Sequence, residues 1–523
     1  MKRQDMIAAL EAGAGQVWDL CIIGGGATGL GVAVDAASRG FSTILLEQYD
    51  FAKGTSSRAT KLVHGGVRYL QQGNVKLVTE ALHERGILRR NAPHLVNNQS
   101  FIVPNYKWWE GPYYGIGLKV YDWMAGSLGL GKSRLLSREE TLQLAPTLDA
   151  EGLRGGVLYH DGQFDDARLA IELAKTAAAH GAVVLNYCRV EGLEKENARV
   201  SGVIMTETIS GKSYSVKTKT VINATGVFTD NILKMDDAAS EPVIAPSQGV
   251  HLVLDKEFLP GSAAILVPHT DDGRVLFAVP WHDKIIIGTT DTPVSKAEIE
   301  PHAQAEEIDF ILQQIGRYLQ RVPRIEDIRS VFAGLRPLVK SSGRKTAELA
   351  RDHLVMVAGS GLITVTGGKW TTYRRMAEDT VNTAISRGGL PERPCVTAGL
   401  PIHGAAEPVL YDPLHFHGTD AGKIRGLVAE NLQWGEKLHP GLPYIVAEIV
   451  WAVREELCMT VEDALSRRTR SLLLDAKAAM ACAASVAALM AAEMGMDGQW
   501  QERQIAEFKR LAAGYLPQKQ KYI

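Results

Sequence analysis

The apolar positions fall first into a short unbroken run, WDLCIIG at residues 18–24, that ends on glycines. A helical pattern follows in ATGLGVAVDAASR, with Gly40 placed to stop it, and STILLE (42–47) forms a second apolar run. Short continuous apolar runs on either side of a helical period predict a β–turn–α–β unit with both strands buried. Further strands are predicted at VVLNYCRV (183–190), VSGVIMT (200–206) and TVINATG (220–226). Ahead of them, FDDARLAIELAKTAAAHG reads as a helix, with Asp165 or Asp166 as N-cap and Gly181 as terminator. A β-rich middle contains HLVLD (251–255), AILVP (264–268), RVLFAVPWH (274–282) and KIIIGTTDT (284–292), and short strands resume at 353–359 and 361–368. From about Gly399 the pattern turns helical. The alanine-rich stretch Ala478–Ala492 is shorter than the roughly 20 residues a membrane span requires and is expected to be a buried helix.

These elements predict an α/β fold built on a Rossmann-like dinucleotide-binding domain, discontinuous over 18–90, 150–245 and 330–390. A β-rich substrate domain is expected from 91–149 and 246–329, and a helical C-terminal domain from 399–523. A length of 523 residues agrees with several domains. The net charge of −2 gives no long-range attraction for nucleic acid. Five widely spaced cysteines without CxxC spacing indicate neither a disulfide framework nor a zinc site. No metal is expected, since the histidines lack HExxH spacing, and no GxSxG nucleophile elbow is present.

Chemistry enters at the first turn. Gly24, Gly26 and Gly29 have G-x-G-x-x-G spacing between a strand and a helix, with Glu47 closing the second strand 18 residues after Gly29. Glycines allow the backbone to approach a pyrophosphate, the helix N-terminus attracts it, and the carboxylate suits ribose hydroxyls. TVINATG ends on small residues, as a chain must where it passes a flavin nucleotide. KLVHGGVRYL (61–70) sets paired glycines among Lys61, His64 and Arg68, which calls for a ligand or a close contact at that loop.

Taken together, IGGGATGLGVAVDAASRG (23–40), KLVHGGVRYL (61–70), FDDARL (164–169), INATG (222–226), GTTD (288–291), GLRPL (334–338) and GGKWTTYRRMA (367–377) resemble the FAD-dependent, membrane-associated glycerol-3-phosphate dehydrogenases, which have a D-amino-acid-oxidase-like flavoprotein fold. Leu30 departs from the family's small residue in the first helix. The resemblance implies oxidation of sn-glycerol 3-phosphate to dihydroxyacetone phosphate, with hydride passing from C2 to FAD and electrons to membrane quinone. Another polyol phosphate as substrate, or O2 as acceptor, stays open. It also implies peripheral attachment to the inner face of the cytoplasmic membrane; a homodimer stays open.

For the cofactor, the resemblance points to Gly24, Gly26, Thr28, Gly29, Glu47, Thr55, Ser56, Ser57, Lys61, Leu62, His64, Gly65, Gly66, Val190, Ala224, Thr225, Gly226, Gly334, Gly367, Gly368, Lys369, Trp370 and Thr371. A dianionic substrate needs cations, and Arg68, Arg336, Arg351 and Lys369 are the candidates, with Tyr69 and Thr289 beside them. His251, Arg336 and Lys369 are the catalytic candidates; the base is His251 or His64. The segment 106–123 carries Tyr106, Trp108, Trp109, Tyr113, Tyr114, Tyr121 and Trp123 beside Lys107 and Lys119, which suits either a lipid headgroup boundary or packing over the substrate domain. The basic C-terminal end offers a weak contact with anionic lipid.

Overall fold

A computed structural model describes the chain except residues 14, 67–73, 341–352, 409–411 and 518–523. Two sheets organise it. In the first, Trp18–Ile23 lies between Thr43–Leu46 and Lys212–Asn223, parallel to both, with Ile22 opposite Leu45 and Ile222. Val183–Leu185 extends the sheet beyond Thr43–Leu46, and Ile363–Gly367 extends it beyond Lys212–Asn223. The helices Ala27–Ser38, Asp166–Ala179 and Tyr373–Gly388 pack into its core against Leu20, Ile22 and Leu45. Coverage by helices is why these strands read as unbroken apolar runs. Leu30 is fully buried in that core, so the departure from a small residue is absorbed by packing. Gly31 permits the helix contact, since a Cβ there would meet the Tyr373 ring at 2.8 Å.

The second sheet has ten strands, in the order Thr292–Pro293, Ile244–Asp255, Lys284–Gly288, Leu276–Trp281, Ala264–Val267, Val96–Asn105, Gly155–Phe164 and Leu62–Val63, with Ser330–Val339 and Arg134–Leu136 added alongside. Gly155–Phe164 pairs with Val96–Asn105 along its whole length, and Ser330–Val339 pairs with Ile244–Asp255 from Val339 opposite Ile244 to Ser330 opposite Val253. The sequence boundaries assign both strands to the dinucleotide-binding segments, whereas they pair within the sheet of the β-rich region. Pairing between strands tens of residues apart leaves no mark on local periodicity.

The C-terminal region is helical, with Ala421–Glu430, Val446–Glu455, Ala476–Met494 and Gly498–Ala513. Among the described residues, Ala476–Met494 is the one helix long and apolar enough to cross a bilayer. Here Ala479, Ala483, Val486, Ala487 and Met490 are buried in a core with Trp500 and Phe508. This region is fastened to the first sheet's loops by buried charge. Arg468 donates to both oxygens of Asp50 at 2.7 and 2.8 Å, and Arg470 donates to Asp166 at 3.0 Å.

Candidate active site

The strand Trp18–Ile23 runs directly into Gly24, whose φ of +111° favours glycine. A Cβ at Gly24 would sit 2.6 Å from the Ala224 carbonyl oxygen, and one at Gly29 would sit 1.9 Å from the Gly24 carbonyl oxygen. Only a backbone stripped of side chains fits this turn. The helix that follows has Gly26 at its N-cap, with no side-chain cap and no acidic residue in its first turn. No acidic residue of the helix itself offsets its positive end, and the Ser56 hydroxyl accepts from the Ala27 amide at 2.9 Å. Glu47 accepts from the amides of Gly25 at 2.6 Å and Tyr49 at 2.8 Å, while burial raises its carboxyl above the ordinary value.

Around this turn lies a cleft of about 1390 Å³, part of it open to solvent. Gly24, Gly26, Thr28, Glu47, Thr55, Ser56, Val190, Ala224, Thr225, Gly226, Gly367, Gly368, Lys369 and Trp370 line it, with Gly29 packed beneath the turn. A second cavity, also partly open to solvent, shares Thr55, Gly367, Gly368, Lys369 and Trp370 with the cleft and adds Leu62, His64, Gly334 and Thr371. His251, Thr289 and Arg336 line the same cavity, so the candidate catalytic groups adjoin the candidate cofactor groups. The donor set suits a dinucleotide: a glycine turn and a helix N-terminus for a pyrophosphate, and a carboxylate at the second strand's end for a ribose.

Besides Gly29, four of the expected cofactor residues, Ser57, Lys61, Gly65 and Gly66, do not line these two cavities. Lys61 is fully buried, donating to Asp166 at 2.7 Å and to the Ser57 carbonyl at 2.9 Å, with its Nζ 5.5 Å from the centre of the Trp281 ring. Burial draws its pKa down to about 8, against the opposing pull of Asp166. Ser57 contributes that carbonyl. Gly65 is small for packing: a Cβ would meet Leu82 and the Tyr121 hydroxyl at 2.6 Å. Its amide donates to that hydroxyl at 2.8 Å, Tyr121 donates to Asp161 at 2.7 Å, and Arg85 pairs with Asp161 at 2.7 Å. Gly66, with φ +76°, borders a third cavity that also reaches His64, Thr289 and Arg336. Arg68, Tyr69 and Arg351 lie outside the described residues.

His251, on the strand Ile244–Asp255, is buried, stacked on Phe332 at 4.8 Å between ring centres. Its Nε2 meets the Thr60 hydroxyl at 2.9 Å, and its Nδ1 has no hydrogen-bond partner among the described residues. Desolvation, helped by the positive charges of Lys61 and Arg336, holds its pKa well below 6.5. It is therefore a neutral imidazole with a nitrogen able to accept a proton. Arg336 is held by Asp291 at 2.9 Å, the Thr290 carbonyl at 2.8 Å and the Thr289 hydroxyl at 3.2 Å. Gly249 leaves room for this cluster, because a Cβ there would meet Arg336 at 2.5 Å and Thr289 at 2.6 Å. Thr290 is structural, its hydroxyl bridging Glu307 and the Val250 amide. Asp291, Thr60 and Asp161 are not singled out by the sequence, Tyr121 enters there only as one aromatic among several, and GTTD is the one visible sign of Asp291.

The segment rich in aromatics forms the helix Glu110–Ala125 and divides its rings. Tyr114 and Tyr121 are buried, whereas Trp108 and Trp123 are 77% and 82% exposed. Among the described residues one group, Glu172, His403 and Asp420, has the spacing of metal ligands, but the Lys175 ammonium lies between Glu172 at 3.5 Å and Asp420 at 2.5 Å. His415 and His417 form an H-x-H pair whose rings have separate partners, the Asp412 carbonyl and Glu448.

A dinucleotide cleft beside a basic, histidine-bearing cavity is the arrangement of a dinucleotide-dependent oxidoreductase. The profile described as "FAD dependent oxidoreductase" matches residues 19–374, and that of the "C-terminal domain of alpha-glycerophosphate oxidase" matches 362–501. The chain is 41% identical over 537 residues to a probable mitochondrial glycerol-3-phosphate dehydrogenase of Caenorhabditis elegans, covering 96% of this chain and 74% of that protein. It is 40% identical over 532 residues to the mitochondrial glycerol-3-phosphate dehydrogenase of Macaca fascicularis, covering 94% and 73%. The solved glycerol-3-phosphate dehydrogenase of Bacillus halodurans, complexed with FAD, superposes with a TM-score of 0.81 at 29% identity and 98% coverage of both chains. The chain belongs to the FAD-dependent glycerol-3-phosphate dehydrogenase family, with FAD as its cofactor and the D-amino-acid-oxidase type of fold. The curated relatives also correct the expected location: they are mitochondrial proteins, which overturns attachment to a bacterial-type cytoplasmic membrane.

Proposed function

We propose that the chain oxidises the C2 hydroxyl of sn-glycerol 3-phosphate to the ketone of dihydroxyacetone phosphate and delivers the electrons to a membrane quinone. The observation that carries this reading is a neutral, buried His251 in the same cavity as the Arg336 guanidinium, next to the glycine-lined cleft. FAD, when bound, supplies the hydride acceptor. Held by Gly24, Gly26, Glu47, Ala224 and the 367–371 turn, it leaves the chain three tasks. His251 takes the hydroxyl proton as the C–H bond breaks, so that alcohol loses H⁺ and hydride together. Arg336, with Arg68 and Arg351 by motif, binds the phosphate, and Lys369 adds positive charge where anionic charge develops. Thr289, fixed beside Arg336, orients the polyol. Exposed Trp108 and Trp123, with Lys107 and Lys119 nearby, support contact of this face with lipid headgroups.

The match to a glycerophosphate oxidase C-terminal domain favours one alternative acceptor, O2. Turnover of FAD-loaded protein on a panel of polyol phosphates, with a soluble quinone and with air, separates the two. Quinone reduction without stoichiometric peroxide supports the proposal, and one peroxide per substrate in air overturns its acceptor.

A further inference from the structure

A turn that carries no recognised motif brings a second arginine to the cavity of Arg336. Arg274 closes the turn Thr270–Arg274 just before the strand Leu276–Trp281. Its amide donates to the Thr270 hydroxyl and to Asp272 Oδ1, both at 3.1 Å. Its Nε donates to Asp272 Oδ2 at 2.8 Å, and Nη2 pairs with the same oxygen. Asp272 thus fixes one edge of the guanidinium. The remaining nitrogen, Nη1, is buried, has no hydrogen-bond partner among the described residues, and stands 3.8 Å from Asp291 Oδ2. That separation is too long for a hydrogen bond. The other oxygen of Asp291 accepts from Arg336 at 2.9 Å and from the Ser247 hydroxyl.

One carboxylate therefore stands between two guanidiniums, and Arg274, Asp291, Thr289 and Arg336 all line one cavity that opens to solvent. A buried donor of a charged group without a hydrogen bond is costly, and is kept where a ligand completes it. Its planar fork matches the oxygens of a phosphomonoester. We propose that Arg274 is a phosphate-binding residue of this site, opposite Arg336, and that Asp291 is the positioning residue that turns both guanidiniums toward the same space. This rests on the reading of the cavity as a polyol-phosphate site.

The test uses FAD-loaded protein carrying R274Q, R274K or D291N, with sn-glycerol 3-phosphate as substrate and inorganic phosphate as competing probe. R274Q is expected to raise KM about 10–100-fold, the range for a lost hydrogen bond to a charged group, with kcat changed less than about 3-fold. The inhibition constant of inorganic phosphate should rise in parallel, and R274K should fall between wild type and R274Q. Should R274Q fail to fold, R274K decides: a KM raised more than about 3-fold supports the proposal, and a smaller change overturns it. D291N discriminates positioning from simple charge. Deleting a like charge by itself tightens phosphate binding, whereas loss of positioning weakens it; tighter binding overturns the role of Asp291. If no polyol phosphate reduces the wild-type flavin, the underlying reading fails. Weaker binding of inorganic phosphate by R274Q, read from flavin absorbance, then tests Arg274 separately: unchanged binding overturns it.

Discussion

Replacing His251 by glutamine keeps a polar side chain of similar reach on the strand Ile244–Asp255 and removes a proton acceptor. The imidazole lies 2.9 Å from the Thr60 hydroxyl and is stacked on Phe332, an enclosure that keeps it neutral by making its charged form costly to solvate. A positioned general base contributes roughly 10²–10⁴ in rate. H251Q should therefore slow the reductive half-reaction by that factor, about 2.7–5.4 kcal/mol of barrier, while FAD content and the fold stay as in wild type. The assay is anaerobic stopped-flow reduction of the bound flavin by glycerol 3-phosphate from pH 5.5 to 8. Because the His251 pKa lies well below 6.5, the wild-type rate should show no protonation limb at 6.5. A loss below about 10-fold with FAD bound, a limb at or above the ordinary histidine value, or a larger loss in H64Q than in H251Q would refute the assignment of the base.

Other expectations follow from single contacts. Gly29→Ala places a methyl 1.9 Å from the Gly24 carbonyl oxygen, so purified protein should carry little or no FAD, measured as the flavin-to-protein absorbance ratio. His94 is buried beside Arg168, His403, His417 and Lys175, and burial first, then those charges, pull its pKa to about 3. It is neutral when folded but binds a proton when unfolded below its ordinary value of 6.5. Its stabilising contribution is therefore complete above pH 6.5 and lost as pH falls, by ~2 kcal/mol at pH 5. H94N should accordingly narrow the gap between melting temperatures at pH 7 and pH 5. Arg468→Met leaves Asp50 with one fewer buried partner and should cost about 3–5 kcal/mol, seen as earlier proteolytic release of the C-terminal helices.

What could be read from sequence was what is local. The run from Trp18 to Glu47 showed its strand, turn, helix and carboxylate because each rests on neighbours within a few residues. The alanine-rich helix was also legible, as a helix whose small residues allow close packing. Long-range pairing was not: Ser330–Val339 reads the same in either sheet, and only its register against Ile244–Asp255 decides. The glycine pair at 65–66 illustrates the limit within the site. Gly65 is hemmed in by Leu82 and Tyr121, residues 17 and 56 positions away, a constraint that the local sequence does not show. Lys61 likewise looked like a cofactor contact, yet it is spent on Asp166, an acid that read as a helix cap. Arg274 sits in a turn whose DDG composition announces only the turn; its relation to Asp291 and Arg336 exists only once three strands are assembled.

The most direct measurement is an anaerobic titration of FAD-loaded protein with sn-glycerol 3-phosphate, followed by flavin absorbance, with unphosphorylated glycerol alongside. A neutral base and a basic phosphate site in one cavity predict stoichiometric bleaching by glycerol 3-phosphate and none by glycerol at equal concentration. A correctly folded, fully loaded protein that stays yellow with both would contradict the account.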